Sequence, residues 1–168
     1  MRRHDREIKV PGEIEAIIQR AQICRVGLAE DNVPYVVPVH FGYAGKCLYF
    51  HCATQGKKLD IIRRNNNVCF EIDTDYQLVR PDGPPCKCSA RYRSVIGFGK
   101  ASVIEDRGEK AAALNIVSQH YGSSPYQFSD EEMEGVAVVK IDVSNMTGKQ
   151  AGYEVIPAYP ENDHSEPR

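Results

Sequence analysis

A 168-residue chain with 21 Lys and Arg against 23 Asp and Glu, and a formal charge of -2, has no overall basic field to hold nucleic acid or an anionic membrane. Any anion must therefore be bound locally. The length fits one unit over residues 1–156, with a real core but no room for two cofactor domains, and no apolar run approaches the roughly 20 residues needed to span a bilayer. The N-terminal Met-Arg-Arg-His-Asp-Arg-Glu lacks the apolar centre of a signal peptide, so a cytoplasmic location is expected. Four of the six cysteines fall in apolar strand-like runs, where reduced cysteine acts as a small hydrophobe.

Pro11-Gly12-Glu13 opens a helix in which Ile14, Ile17, Ile18 and Ala21 recur at helical spacing. Ile23 to Ala29 then alternates with period two. Glu30-Asp31-Asn32 turns the chain into a second strand, Tyr35 to Phe41, which gives a hairpin. Pro38 cannot donate to a ladder, so this strand needs an edge, a bulge or a break there, leaving backbone groups free for a ligand. Tyr43 to Lys46 turns back into the strand Cys47 to Cys52. A short helix carrying Lys57, Lys58, Arg63 and Arg64 follows Gly56, with Leu59, Ile61 and Ile62 facing inward, and Val68 to Asp73 is the fourth strand.

Three prolines and a glycine between Thr74 and Ala90 predict a long loop. Arg91 to Ile104 is the longest strand, with Gly97 and Gly99 on one face suggesting a bend. Asp106 caps a helix whose apolar positions include Ala113, Val117 and Tyr121 and which Gly122 ends. Val136 to Val143 is the last strand, and the proline- and charge-rich segment over 157–168 is expected to be disordered. Without regular βαβ alternation, this order predicts a mainly antiparallel β-barrel with flanking helices.

The chemistry concentrates between Tyr49 and Asn65, where a strand ending on His51 meets the Gly56-Lys57-Lys58 helix start. Two lysines there oppose the helix macrodipole, and helix amides with two ammonium groups suit a phosphate dianion. The plainer reading is a solvated cationic turn. His40 and His51 each close an apolar run, where a histidine more often serves structure than catalysis, and neither has metal-ligand spacing. Cys86-x-Cys88 lacks a second ligand pair, Gly97-Phe98-Gly99 sits inside a strand and opens no helix, and no Cys-His catalytic pattern is present. No metal is expected.

Pro34 to Tyr43, Leu48-Tyr49-Phe50-His51 with Gly56-Lys57-Lys58, Val68 to Glu71, and Tyr92 to Gly99 together resemble the pyridoxamine 5'-phosphate oxidase-related flavoproteins, in particular their nitroimidazole-resistance branch. The resemblance runs from Val10 to Lys149. It implies a split β-barrel that forms a homodimer, with an FMN in each of two shared grooves. It further implies that Val37, Pro38, Val39 and His40 run along the isoalloxazine ring, that His51 and Cys52 lie near the ring or ribityl chain, and that Lys57, Lys58 and Ser94 hold the phosphate, with Arg93 beside them. That branch commonly has serine where Cys52 stands and an aromatic residue where Cys88 stands, and this chain has no tryptophan.

The resemblance implies an FMN-dependent oxidoreductase acting on a small-molecule substrate. For the nitroimidazole branch the acceptor is a nitro group, with His51 as proton donor or ring-positioning residue. Pyridoxamine phosphate oxidation itself would need a second phosphate site, and no further basic motif follows Ser94. Two other readings stand beside it. One is a flavin, deazaflavin or haem carrier or sensor with little turnover, in which His40 or His51 ligates haem. The other is a structural dimer with an empty groove.

Overall fold

The structure, a computed structural model, describes residues 3–153, so the segment expected to be disordered over 157–168 lies outside the described residues. The elements are β1 (Glu7–Ile8), α1 (Pro11–Arg20), β2 (Cys24–Glu30), β3 (Val33–Val39), β4 (Gly42–Ala44), β5 (Cys47–Cys52), α2 (Lys57–Arg64), β6 (Asn67–Val79), β7 (Ser89–Val103), α3 (Arg107–His120), α4 (Asp130–Glu134) and β8 (Ala137–Ala151). Every strand pair is antiparallel, in the order β3-β2-β6-β7-β8-β5-β4 with β1 beside β8.

The positions of β3 and β4 explain the shape. They occupy opposite ends of the sheet order, yet only His40 and Phe41 separate them in the chain. Three Cα–Cα steps reach at most about 11 Å, so the sheet must curl until its two ends face each other. No ladder joins those ends among the described residues. The result is a split β-barrel with a seam between β3 and β4.

Local sequence sets the turns that make this possible. Asp31 and Asn32 both take positive φ (49° and 62°), the left-handed pair that a two-residue hairpin needs, and Gly45-Lys46 repeats the device before β5. Inside the barrel, Cys24, Val26, Phe50, Phe70, Ile72, Val95 and Ile141 are fully buried. Helix α1, with Pro11 at its start, packs Ile14, Ile17 and Ile18 into that core. Asp106 caps α3 by accepting the Glu109 amide at 2.9 Å, an arrangement that typically contributes about 1 kcal/mol.

Three segments differ from the sequence expectation. The predicted Thr74–Ala90 loop is mostly a hairpin arm: β6 runs to Val79 and pairs Gln77, Leu78 and Val79 with Arg91, Ala90 and Ser89. Its prolines all lie at the tip, where Pro85–Lys87 forms a 3-10 turn. Strand β8 continues to Ala151 through a polar stretch that alternation alone did not reveal, and the short helix α4 carries a Ser129–Glu132 capping box. The glycines of β7 do coincide with a distortion, because the register against β8 shifts between Phe98 and Gly99.

At the root of the arm, Asp75 has φ 57° and β6 carries one residue more than β7 between Thr74 and Gln77. This bulge places Leu78 opposite Ala90, on the same face of β7 as Ser94, Ile96 and Phe98. Asp75 Oδ2 accepts from Arg93 and from Arg20, each at 2.6 Å. The Arg93 guanidinium also lies 4.2 Å from the centre of the Tyr153 ring.

Candidate active site at the barrel seam

The seam opens into a cleft of about 460 Å³. One wall is the end of β3 with the following link (Pro38, Val39, His40), and the other is the end of β5 (His51, Cys52, Ala53). Lys58 of α2 and the Gly135-Val136 turn before β8 complete it. The topology brings these pieces together because β5 pairs with β8, with His51 opposite Val138 and Cys52 opposite Ala137. Since among the described residues β3 pairs only with β2, its second row of main-chain groups is unused by that sheet and borders the seam. Pro38 sits on this edge strand, where a missing N–H is tolerated.

Gly56 supports the cationic corner. Its φ of 133° is one that residues with a side chain rarely adopt, and it starts α2 without a side-chain cap. The two lysines then diverge. Lys57 places its ammonium 4.8 Å from the Tyr35 ring centre, whereas Lys58 lies 5.6 Å from the Phe50 ring centre and borders the cleft.

The cleft perturbs its own titrating groups. Partial loss of hydration holds the His51 imidazole below the ordinary histidine value, and His40 and Lys58 push it in the same direction as like charges. Burial raises the Cys52 thiol, against the pull of Lys58. Cys52 is therefore a neutral thiol near pH 7, and the polar groups suited to ligand contact are His40, His51 and Lys58. No group of three or more His, Cys, Asp or Glu side chains suited to a metal ion occurs among the described residues.

Of the ten residues singled out from sequence, the structure gathers Pro38, Val39, His40, His51, Cys52 and Lys58 in one cleft. Four lie outside its lining. Val37 packs against the core from the inner face of β3, and Lys57 covers Tyr35. Ser94 stands on the outer face of β7 between Asp73 and Lys149. Arg93 is 2% exposed and ion-paired with Asp75 on the inner side. Sequence reasoning missed Ala53, Gly135 and Val136. The last two enter only through the β5–β8 pairing, which no local pattern announces.

Helices and strands of this arrangement recur in solved structures. A candidate 5-nitroimidazole antibiotic resistance protein from Bacteroides thetaiotaomicron is 39% identical, with 86% of each chain covered and a TM-score of 0.77. The FAD and haem binding protein from Mycobacterium smegmatis (16% identity, 97% of this chain and 93% of that one, TM-score 0.78) and the flavocytochrome Anf3 from Azotobacter vinelandii (20%, 100% and 91%, 0.73) share the fold. No curated protein matches the sequence. A family model described as pyridoxamine 5'-phosphate oxidase matches residues 11–150. With that span covering most of the chain, and a relative of 39% identity beside it, the protein belongs to the pyridoxamine 5'-phosphate oxidase family.

Proposed function

We propose that the protein is a cytoplasmic, homodimeric FMN-dependent oxidoreductase that reduces the nitro group of nitroimidazole-type compounds. The observation that carries this reading is the juxtaposition of Lys58 and His51 in one cleft, beside the main-chain edge of β3 that the sheet leaves unused. These groups fit a flavin mononucleotide by their chemistry. An ammonium group at a helix start suits a phosphate, and free strand-edge N–H and C=O groups suit the polar rim of an isoalloxazine ring. Pro38, Val39 and the Val136 turn supply apolar walls.

In this reading Lys58 holds the phosphate, Val37 to His40 run along the ring, and Cys52 packs as a neutral thiol. When bound in its two-electron-reduced form, FMN would supply the electron pair that, with two protons, takes a nitro group to a nitroso group and water. His51 borders the cleft, where its ring can carry a proton. Its lowered pKa leaves the ring mostly neutral near pH 7, so its N–H serves the acceptor oxygen as a hydrogen-bond donor, and the imidazolium, a stronger acid than a free one, gains population only as the pH falls. Lys57 and Ser94 assist at the phosphate only if a second chain completes the groove, and the ion pair of Arg93 with Asp75 makes it the weakest of the four phosphate candidates.

A carrier or sensor is the second reading, favoured by one observation: His40 and His51 border the same cleft, so an imidazole ligand for haem iron is at hand. Absorbance of the purified protein, repeated after FMN is added back, separates the readings. Flavin bands in the blue support the oxidoreductase. A Soret band supports the haem carrier, and a colourless protein that takes up no FMN would leave only an empty structural groove.

A further inference from the structure

One residue outside the cleft lining contacts the link that forms part of its wall. Tyr121 follows the last residue of α3, and its hydroxyl accepts the Phe41 N–H at 3.0 Å while donating to the Gln22 carbonyl at 2.8 Å. Its ring centre lies 4.8 Å from that of His40. Phe41 belongs to neither β3 nor β4, so no sheet ladder uses its N–H, and the phenol takes the place of a strand partner. Behind it, Gly42 presses directly on α3: a Cβ there would stand 2.6 Å from the Ile116 carbonyl oxygen. One hydroxyl thus ties the two-residue link between β3 and β4 to the junction between α1 and β2.

We propose that Tyr121 is a positioning residue of the cleft, fixing the His40 imidazole opposite His51 by holding the two-residue link on which His40 sits. The functional consequence rests on the flavin reading above, whereas the positional statement does not. A neighbouring residue offers a control. His120 donates from Nε2 to the Ala21 carbonyl at 2.8 Å and packs its ring 4.5 Å from that of Phe41, so it supports the same corner without contacting His40.

The test compares the parent protein, Tyr121→Phe and His120→Gln by NMR titration of histidine ring protons without ligand, followed by FMN binding. The charged and titratable groups acting on His51 are His40 on the link and Lys58 on α2. If Tyr121 places His40, then Tyr121→Phe lets His40 move off and the His51 midpoint rises toward the ordinary histidine value. The His120→Gln midpoint should stay at the parent value. Loss of the two phenol hydrogen bonds is expected to raise the FMN dissociation constant about 3- to 10-fold. An unchanged His51 midpoint in folded Tyr121→Phe protein, or an equal rise in both variants, would overturn the proposal. Should Tyr121→Phe not fold, amide exchange in the parent decides: the Phe41 N–H is expected to exchange more than about tenfold slower than an unstructured amide, and free exchange refutes the contact. If the His51 midpoint moves as stated but the parent takes up no FMN, the flavin reading fails and the positioning role stands.

Discussion

Lys58 makes the sharpest demand on the reading at the scale of single residues. A charge-assisted contact to phosphate typically contributes about 1.5 to 3 kcal/mol, so Lys58→Ala should weaken FMN binding roughly tenfold to more than a hundredfold. Riboflavin, which lacks the phosphate, should bind the variant nearly as well as the parent. Paired titrations with both ligands exclude a folding defect, which would weaken both alike, and unchanged FMN affinity would reduce the lysine to a solvated helix start. His51 carries a different expectation. Its side chain is exposed at the end of β5 and fills no core position, so His51→Ala should leave the melting temperature nearly unchanged while lowering any nitroreductase rate by roughly 10²-fold or more, the usual contribution of a positioned proton donor. Stopped assays on FMN-loaded parent and variant check this, and equal rates would remove His51 from the chemistry.

Among the elements, α3 is where pH should act on stability. The Ala21 carbonyl can only accept, so Nε2 of His120 carries the proton, and its Nδ1 is buried without a hydrogen-bond partner among the described residues. Burial lowers the His120 pKa, because a second proton would place charge at that unpartnered atom. The unfolded chain binds that proton near the ordinary value of about 6.5. Between there and the depressed folded value it holds more protons than the native state, so stability is complete above about pH 6.5 and falls as the pH drops through the window. His51 shifts in the same direction. Thermal melts from pH 8 to 5 should therefore show a declining midpoint, with a shallower decline in His120→Gln; identical slopes would mean that this ring is not a buried neutral group. The sequence revealed the elements with strong local signals, such as α1 with Pro11 and its isoleucines, the Asp31-Asn32 hairpin and the Gly56 helix start. It did not reveal the β6–β7 arm, because three prolines at a tip look the same as three prolines in a loop, and only the cross-strand register between Leu78 and Ala90 distinguishes them. Six residues of the cleft were legible as strand and helix ends. Tyr121 read as one more apolar helix position, since its partners on the Phe41 and Gln22 backbones are distant in sequence.

At the scale of the whole molecule, the described residues of one chain leave an outer sheet face uncovered. Register aligns Val36, Gly27, Cys69 and Phe98 across β3, β2, β6 and β7, and Ile96 follows on the next outward position of β7. Val36 is 62% exposed, Phe98 52% and Ile96 45%, and the Asp75 bulge adds Leu78 to the same face. Large apolar side chains in a contiguous strip of this kind mark an interface more often than a free surface. Around the strip, Arg25 pairs with Glu71 and Asp73, giving the polar rim that such interfaces carry. These features support the proposed homodimer, and Ser94 on the same face would then lie between the two chains. Sedimentation at micromolar concentration should give a dimer, and Phe98→Glu should shift it toward monomer by placing a charge in the strip, at a cost of about 2 to 4 kcal/mol or a roughly 30- to 1000-fold weaker association. Lys100→Ala, on the same face opposite Asn67 at the start of β6, removes a charge without adding one to the apolar strip, so it is the control and should leave the dimer intact. If a second chain also completes the cofactor groove, Phe98→Glu should lower FMN affinity in step with dimer loss. A parent protein that sediments as a folded monomer would remove both the interface and the shared groove, leaving the cleft at the seam to bind any cofactor alone.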